Sequence, residues 1–216
     1  MANSDVQKLK ELYSTIHKCS LCHGFPGGTI KPDEKKVERE VFDRILNSEV
    51  LVVGQSLAET QVRLSGIPYH HIDGKTSSGG SFIEKYFNTI GYTIKPSNEK
   101  IKLIYSTDIV KCFPGKKDNN SRDNIPIPEE INTCRQWLNQ ELDLLKPKAI
   151  LLYGSVATES FYTYYLNQLF ENLSDCLLKP QMFKGIHVFA LPQSNSGFKN
   201  IRSIYDETFK QIKPCL

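Results

Sequence analysis

The chain has 216 residues, about one and a half times an average domain, so a single domain over 1–216 is expected. Hydrophobic residues at 39% and charged ones at 24% exclude a disordered or fibrous chain. The formal net charge of +3 permits a local basic face for nucleic acid without demanding one.

No apolar run approaches the roughly 18 residues that a membrane span needs, and Met1-Ala2-Asn3-Ser4-Asp5 has neither the basic start nor the apolar core of a secretion signal. A cytoplasmic location is therefore expected, and the six cysteines fall in a reducing compartment where structural disulfides are rare. Ser4 is a candidate N-cap for a helix carrying Val6, Leu9, Leu12 and Ile16 on one face and ending near Lys18. Cys19-Ser20-Leu21-Cys22 follows, then a Gly- and Pro-rich loop and a charged helix at about 33–46. Glu49 to Gly54 is a short apolar run that reads as a strand buried on both faces. A polar segment to Ser78 leads to a helix at 81–90, closed by Gly91. A second strand covers 102–110 and runs into Lys111-Cys112. Beyond a polar loop, Pro128 with Glu129 and Glu130 opens a helix whose apolar stripe is Ile131, Cys134, Leu138, Leu142 and Leu145. A third strand (148–154), a helix capped by Ser155, a fourth strand (185–191) and a last helix (200–212) complete the order.

Alternating strands and helices predict an α/β fold, three layers deep, with a central four-stranded parallel sheet. Such sheets bind ligands beyond the carboxyl ends of their strands. That rule alone selects Gln55-Ser56, Asp108, Gly154-Ser155 and Gln193-Ser194-Asn195 as one crevice. Cys19 and Cys22 can reach one metal centre, with Cys112 and Cys134 as distant partners. Four thiolates suit either tetrahedral zinc or an iron–sulfur cubane. The plain alternative is that Cys134 fills the core and Cys112 a strand end. Cys176 and Cys215 stand outside any motif.

Taken in order, Cys19-Ser20-Leu21-Cys22, Val52-Val53-Gly54-Gln55-Ser56-Leu57-Ala58-Glu59, Gly66-Ile67-Pro68-Tyr69 and Asp108-Ile109-Val110-Lys111-Cys112-Phe113-Pro114 form a series. Pro128-Glu129-Glu130 leading to Cys134, Lys146-Pro147-Lys148-Ala149-Ile150 leading to Gly154, and Leu191-Pro192-Gln193-Ser194 continue it. This series resembles the uracil-DNA glycosylase superfamily, most nearly its family 4, the iron–sulfur kind. The resemblance implies a [4Fe–4S] cluster held by Cys19, Cys22, Cys112 and Cys134, with zinc as the alternative, and a structural role for it. It also implies a monomeric enzyme of base-excision repair that acts on DNA containing a damaged or deaminated base, away from membranes. The departures fall on working positions. Gln55 stands where family 4 has Glu, Asp108 replaces the base-reading Asn, and Gln193 replaces the terminal His.

Such an enzyme swings its target base out of the stack into a pocket. Tyr69 occupies the place of the aromatic that stacks on the flipped ring. An Asn amide both donates and accepts, matching uracil O4 and N3–H, whereas an ionised carboxylate only accepts. Asp108 therefore shifts the expected preference from uracil towards another deaminated or damaged base. Gln193, or Asn195 beside it, offers the departing base a neutral hydrogen bond. Gln55 and Glu59 are candidates for holding the attacking water, with Asp108 as an alternative for placing it, Ser56 is a candidate for contacting the substrate, and His70 and His71 lie in a lid-like segment. Phe198 is a candidate wedge for the gap left in the duplex. Lys199 and Arg202, with Lys116, Lys117 and Arg122, are candidates for phosphate contacts. The alternative is a catalytically inactive DNA-binding relative that keeps the fold and the cluster. A nucleotide-binding α/β enzyme is disfavoured, because no glycine-rich phosphate loop follows any strand.

Overall fold

The computed structural model describes residues 2–22, 42–59, 61, 78–95, 98, 100–116 and 123–216. Its elements are α1 (Ala2–Lys18), α2 (Phe42–Leu46), β1 (Val50–Ser56), α3 (Ser78–Thr89), β2 (Tyr92–Thr93), β3 (Lys102–Leu103) and β4 (Tyr105–Val110). They continue with α4 (Pro128–Leu145), β5 (Ala149–Tyr153), α5 (Ser155–Phe161), β6 (Gln181–Phe183), β7 (Ile186–Leu191) and α6 (Ile201–Ile212). Among the described residues no helix is long and apolar enough to cross a membrane.

The main sheet has the order β4-β1-β5-β7-β6. The first four strands pair in parallel, as expected, and β6 adds an antiparallel edge. The short β6 escaped the sequence pattern. It is joined to β7 by Lys184 (φ 48°) and Gly185 (φ 82°), two left-handed residues of the kind that close a tight hairpin. The expected strand over 102–110 is divided. Lys102 and Leu103 pair with β2 in a separate two-stranded sheet, and only 105–110 joins β1.

Side chains alternate across the sheet, so each apolar strand supplies both faces. Leu51, Val53, Ile150, Leu152, Val188 and Ala190 meet Leu9, Leu12, Leu138, Trp137 and Phe161 of α1, α4 and α5. Val50, Val52, Ala149, Leu151, Phe189 and Leu191 meet Ile83, Phe87, Tyr205, Phe209 and Ile212 of α3 and α6. These two cores make the three layers. Each fully buried large aliphatic or Phe side chain contributes about 1.5–3 kcal/mol, which is why the strands read as unbroken apolar runs.

Two helix starts differ from expectation. The first helix begins at Ala2, so Ser4 lies inside it, and Gly154 occupies the N-cap of α5 with Ser155 as its first residue. The α4 start matches: Pro128 is its first residue, and the Ile127 N–H donates to Glu130 Oε2 at 3.0 Å. Of the charged helix expected at about 33–46, only Phe42–Leu46 falls within the described residues.

At the amino ends of the strands, Glu49 ties three segments together. Lys102 Nζ lies 2.5 Å from Glu49 Oε2 and Lys148 Nζ 2.5 Å from Oε1, while the Tyr92 hydroxyl donates to Oε2 at 2.6 Å. The Lys102, Lys148 and Tyr92 bonds pull the Glu49 carboxyl down to about 2. A carboxylate held below its unfolded value stabilises the fold above that value, and this contribution is lost as pH falls from about 4.5 towards 2. Glu49→Gln should therefore cost about 1 kcal/mol in urea unfolding at pH 7, a size set by solvent screening. The cost should vanish near pH 2; a cost unchanged at low pH would contradict the assignment.

Candidate active site and cysteine centre

The register places the carboxyl ends of the strands side by side. Gly54 sits opposite Asp108, Val53 opposite Leu152, and Tyr153 opposite Leu191. Gln55, Asp108, Gly154 and Gln193 thus share one edge, as the strand-end rule selects. Asp108 is buried. Its burial pushes the carboxyl up from 3.8 to about 7, against the lowering effect of Lys111 and with a smaller upward push from Glu141.

Gln193 lies directly over Gly154. A Cβ at 154 would stand 3.0 Å from Gln193 Cγ and 3.1 Å from Nε2, and Gly154 has φ 93°. The loop carrying Gln193 is fixed from both sides. The Ser194 N–H donates to the Tyr153 hydroxyl at 3.0 Å, and the Tyr205 hydroxyl donates to the Pro192 carbonyl at 2.7 Å. Gln193 and Ser194 are half-buried, whereas Asn195 is exposed.

Gln55 and Ser56 are half-buried at the end of β1. The Gln55 amide donates to the Asn124 carbonyl at 3.4 Å. Asn124 in turn closes its own loop, its N–H donating to the Gly115 carbonyl at 2.8 Å and its side chain to the Pro114 carbonyl at 3.1 Å. Glu59 forms an ion pair with Lys116 at 2.7 Å, so that carboxylate is shared with a cation of the same loop. Phe198 is half-buried against the core that α1 and α4 build. Lys199 and Arg202 are exposed at the start of α6. Tyr69, His70, His71, Lys117 and Arg122 lie outside the described residues.

The four cysteines of the proposed set lie in three parts of the chain. Cys19 follows α1 immediately, its N–H donating to the Ile16 carbonyl at 3.1 Å. Cys22 and Cys112 are buried. Cys134 is buried on α4 and its sulfur accepts the Lys111 N–H at 3.4 Å. Cys19 packs against the core containing Cys134, and its charge contributes to raising the Cys134 thiol, mainly lifted by burial. Among the described residues no three His, Cys, Asp or Glu side chains form a group that could hold a metal ion, and none of the six cysteines forms a disulfide.

A buried polar network, not anticipated above, lies beside these groups. Glu141 accepts from the Tyr105 hydroxyl at 2.7 Å, from Thr107 Oγ1 at 3.0 Å and from Lys111 Nζ at 2.6 Å. Tyr13 of α1 joins through its hydroxyl to that of Tyr105. One signal was available: Glu141 stands seven residues after Cys134 and three after Leu138, on the apolar stripe of α4, where an unpartnered acid would not be tolerated.

Gly154→Ala should strain the left-handed backbone, destabilising the protein by about 1 kcal/mol or more, and expel Gln193 from its seat. Urea unfolding and the NMR shift of the Gln193 side-chain amide check this. An unmoved amide signal would show that Gln193 does not depend on the missing side chain.

A sequence model described as the uracil DNA glycosylase superfamily matches residues 42–207. That stretch includes Gln55, Asp108, Cys112, Cys134, Gly154 and Gln193, and begins after Cys19 and Cys22. Among similar relatives is a "Type-5 uracil-DNA glycosylase" of Pyrobaculum aerophilum, 30% identical over 118 residues, covering 52% of this chain and 47% of that protein. A "Type-4 uracil-DNA glycosylase" of Sulfurisphaera tokodaii is 28% identical over 116 residues, covering 51% and 50%. A "Type-4 uracil-DNA glycosylase" of Pyrobaculum aerophilum is 24% identical over 156 residues, covering 72% and 64%. The chain spans about half the length of most of the curated relatives it matches. With the superfamily match extending over residues 42–207, well beyond half of its length, this chain belongs to the uracil DNA glycosylase superfamily.

Proposed function

We propose that this protein is a DNA glycosylase that receives an extruded uracil, or a related deaminated base, at the carboxyl edge of its sheet and hydrolyses the N-glycosidic bond. The buried Asp108 carboxyl at the end of β4, pushed up to about 7, carries this proposal. At neutral pH such a group is present in both forms. The neutral acid has one O–H donor and one carbonyl acceptor, the same pair that an Asn amide presents, and so matches uracil O4 and N3–H. The ionised form offers acceptors only and repels O4. Sequence alone pointed away from uracil; a carboxyl that is half neutral at pH 7 brings uracil back.

Cleavage leaves positive charge developing on the sugar and negative charge on the departing base. Gln193, seated over Gly154, would donate a neutral hydrogen bond to that base, or Asn195 would do so. A donor aimed at developing charge in a dry site contributes about 2.7–4 kcal/mol. Gln55 is the better candidate for orienting the attacking water, since Glu59 is engaged by Lys116. Ser56 and Tyr69 would contact the base, and Phe198, Lys199 and Arg202 the DNA around it.

The four cysteines Cys19, Cys22, Cys112 and Cys134 are the donor set that a [4Fe–4S] cluster would take, drawn closer than they stand among the described residues, where no three form a metal-holding group. The donor set is all-thiolate, partly buried, and the Lys111 N–H already points at one sulfur, the kind of hydrogen bond that stabilises a cluster thiolate. The cluster would serve as a structural tie between the segment after α1 and the end of β4. Iron and acid-labile sulfide should be found in anaerobically purified protein and be lost in Cys134→Ala. Zinc in their place, or iron retained by that variant, would contradict the assignment.

Cleavage of a uracil-containing oligonucleotide should rise as pH falls through about 7, changing about tenfold per unit on the alkaline side. Asp108→Asn should abolish this dependence and exceed the unsubstituted protein on uracil above pH 8. A profile of the same shape in both proteins would remove Asp108 from base recognition. Absence of product from uracil, hypoxanthine and xanthine substrates alike would favour the DNA-binding alternative.

A further inference from the structure

We propose that Lys111 and Glu141 act as a positioning pair that holds Asp108 at the crevice and sets which base it accepts. This rests on the assignment of Asp108 as the base-facing carboxyl. Lys111 lies beyond the end of β4 and its side chain folds back along that strand. Its ammonium donates to the Asp108 carbonyl at 2.7 Å, to Thr107 Oγ1 at 2.5 Å and to Glu141 Oε2 at 2.6 Å. Both side chains are almost fully buried, at 7% and 1% exposure, and the three bonds among the described residues match the ammonium's three donors. Glu141 is saturated in the same way, by Lys111, Thr107 and Tyr105.

The last residues of β4 are therefore clamped from inside the protein. Its neighbour β1 braces Asp108 through Gly54, which brings no side chain into the space in front of it. Holding the Asp108 carbonyl fixes the backbone from which its carboxyl would meet a base. A buried pair of this kind seldom increases stability over an apolar substitute, and its retention is better explained by the geometry it specifies.

The charges also reach Asp108 directly. Lys111 favours its ionised form and Glu141 opposes it. On α1, the Tyr13 hydroxyl also feels Asp108, and β1 places Gly54 and the neutral Gln55 beside it. The clamp thus controls both where the carboxyl points and how much of it is the neutral, base-matching acid.

The test uses the metal-loaded protein and compares the pH profile of uracil cleavage in the unsubstituted chain, Glu141→Gln and Lys111→Met. Glu141→Gln removes the like charge and should lower the midpoint by roughly half a unit or more. Lys111→Met removes the opposite charge and should raise it by as much. Shifts of opposite sign are what a merely structural pair would not produce; unchanged midpoints, or shifts in one direction, overturn the proposal. The ¹³C signal of the Asp108 carboxyl, identified by its loss in Asp108→Asn, reports the same midpoints without any cleavage. Failure of the glycosylase assignment, seen as no product from any base, is thereby separated from failure of the positioning pair. If either single variant does not fold, the paired Lys111→Met/Glu141→Leu variant, which leaves no lone buried charge, replaces it. It should fold and lose about tenfold or more in kcat with KM little changed. Unaltered kcat, or failure of this variant to fold as well, overturns the proposal.

Discussion

A parallel sheet covered on both faces gives its strands no water in which to place a polar side chain. Thr107, Asp108 and Lys111 nevertheless follow one another along and beyond the end of β4, all buried. Each must find its partner inside the protein, and the structure supplies one acceptor for two of them, Glu141. The packing of α4 against β4, the approach of α1 through Tyr13 and Tyr105, and the orientation of the strand end all follow from satisfying that acid. Asp108, held through its backbone carbonyl by Lys111, is buried with Thr107 and Lys111. Its tendency to remain neutral comes from the same exclusion of water.

The rest of the edge is assembled by close contact. The register sets the β1, β4, β5 and β7 ends side by side, and the absence of a side chain at Gly154 lets Gln193 settle onto the backbone of its neighbour. Tyr153 and Tyr205, both in the core that α3 and α6 cover, hold the loop beyond β7 at the residues flanking Gln193. The segment after Cys112 folds across the end of β1, with Asn124 bound to Gln55 and Lys116 to Glu59. Cys112 begins that segment and Cys134 accepts the Lys111 N–H beside it, so these two cysteines and the crevice share one piece of scaffolding. Lys111 touches both, by its N–H and by its ammonium.

Much of this was legible beforehand, for a physical reason. Strands buried on both faces must be continuously apolar, and 50–53 and 149–152 declare themselves by that property alone. Their ends then locate the crevice by topology, without any motif. Other features were hidden because their cause is tertiary. β6 is three residues long and depends on a hairpin closed by Lys184, a residue with no special liking for a left-handed backbone. The break at Ile104 reflects pairing with β2, a partner that no local pattern identifies. Lys111 stood in the sequence only as part of a motif, and nothing local pairs it with Glu141; the fold puts them 2.6 Å apart. The ionisation of Asp108 was likewise invisible, since burial and neighbouring charges decide it.

The central claim is that a nucleobase enters the space between Asp108, Gln55 and Gln193. A crystal structure with duplex DNA carrying 2′-fluoro-2′-deoxyuridine tests it most directly, because fluorine at that position disfavours the positive charge that cleavage develops on the sugar. The account predicts an intact, extruded uracil within hydrogen-bonding distance of the Asp108 carboxyl, its sugar beside Gln55 and its far edge against Gln193. A uracil still stacked in the duplex, or one bound away from the ends of β1 and β4, would contradict it.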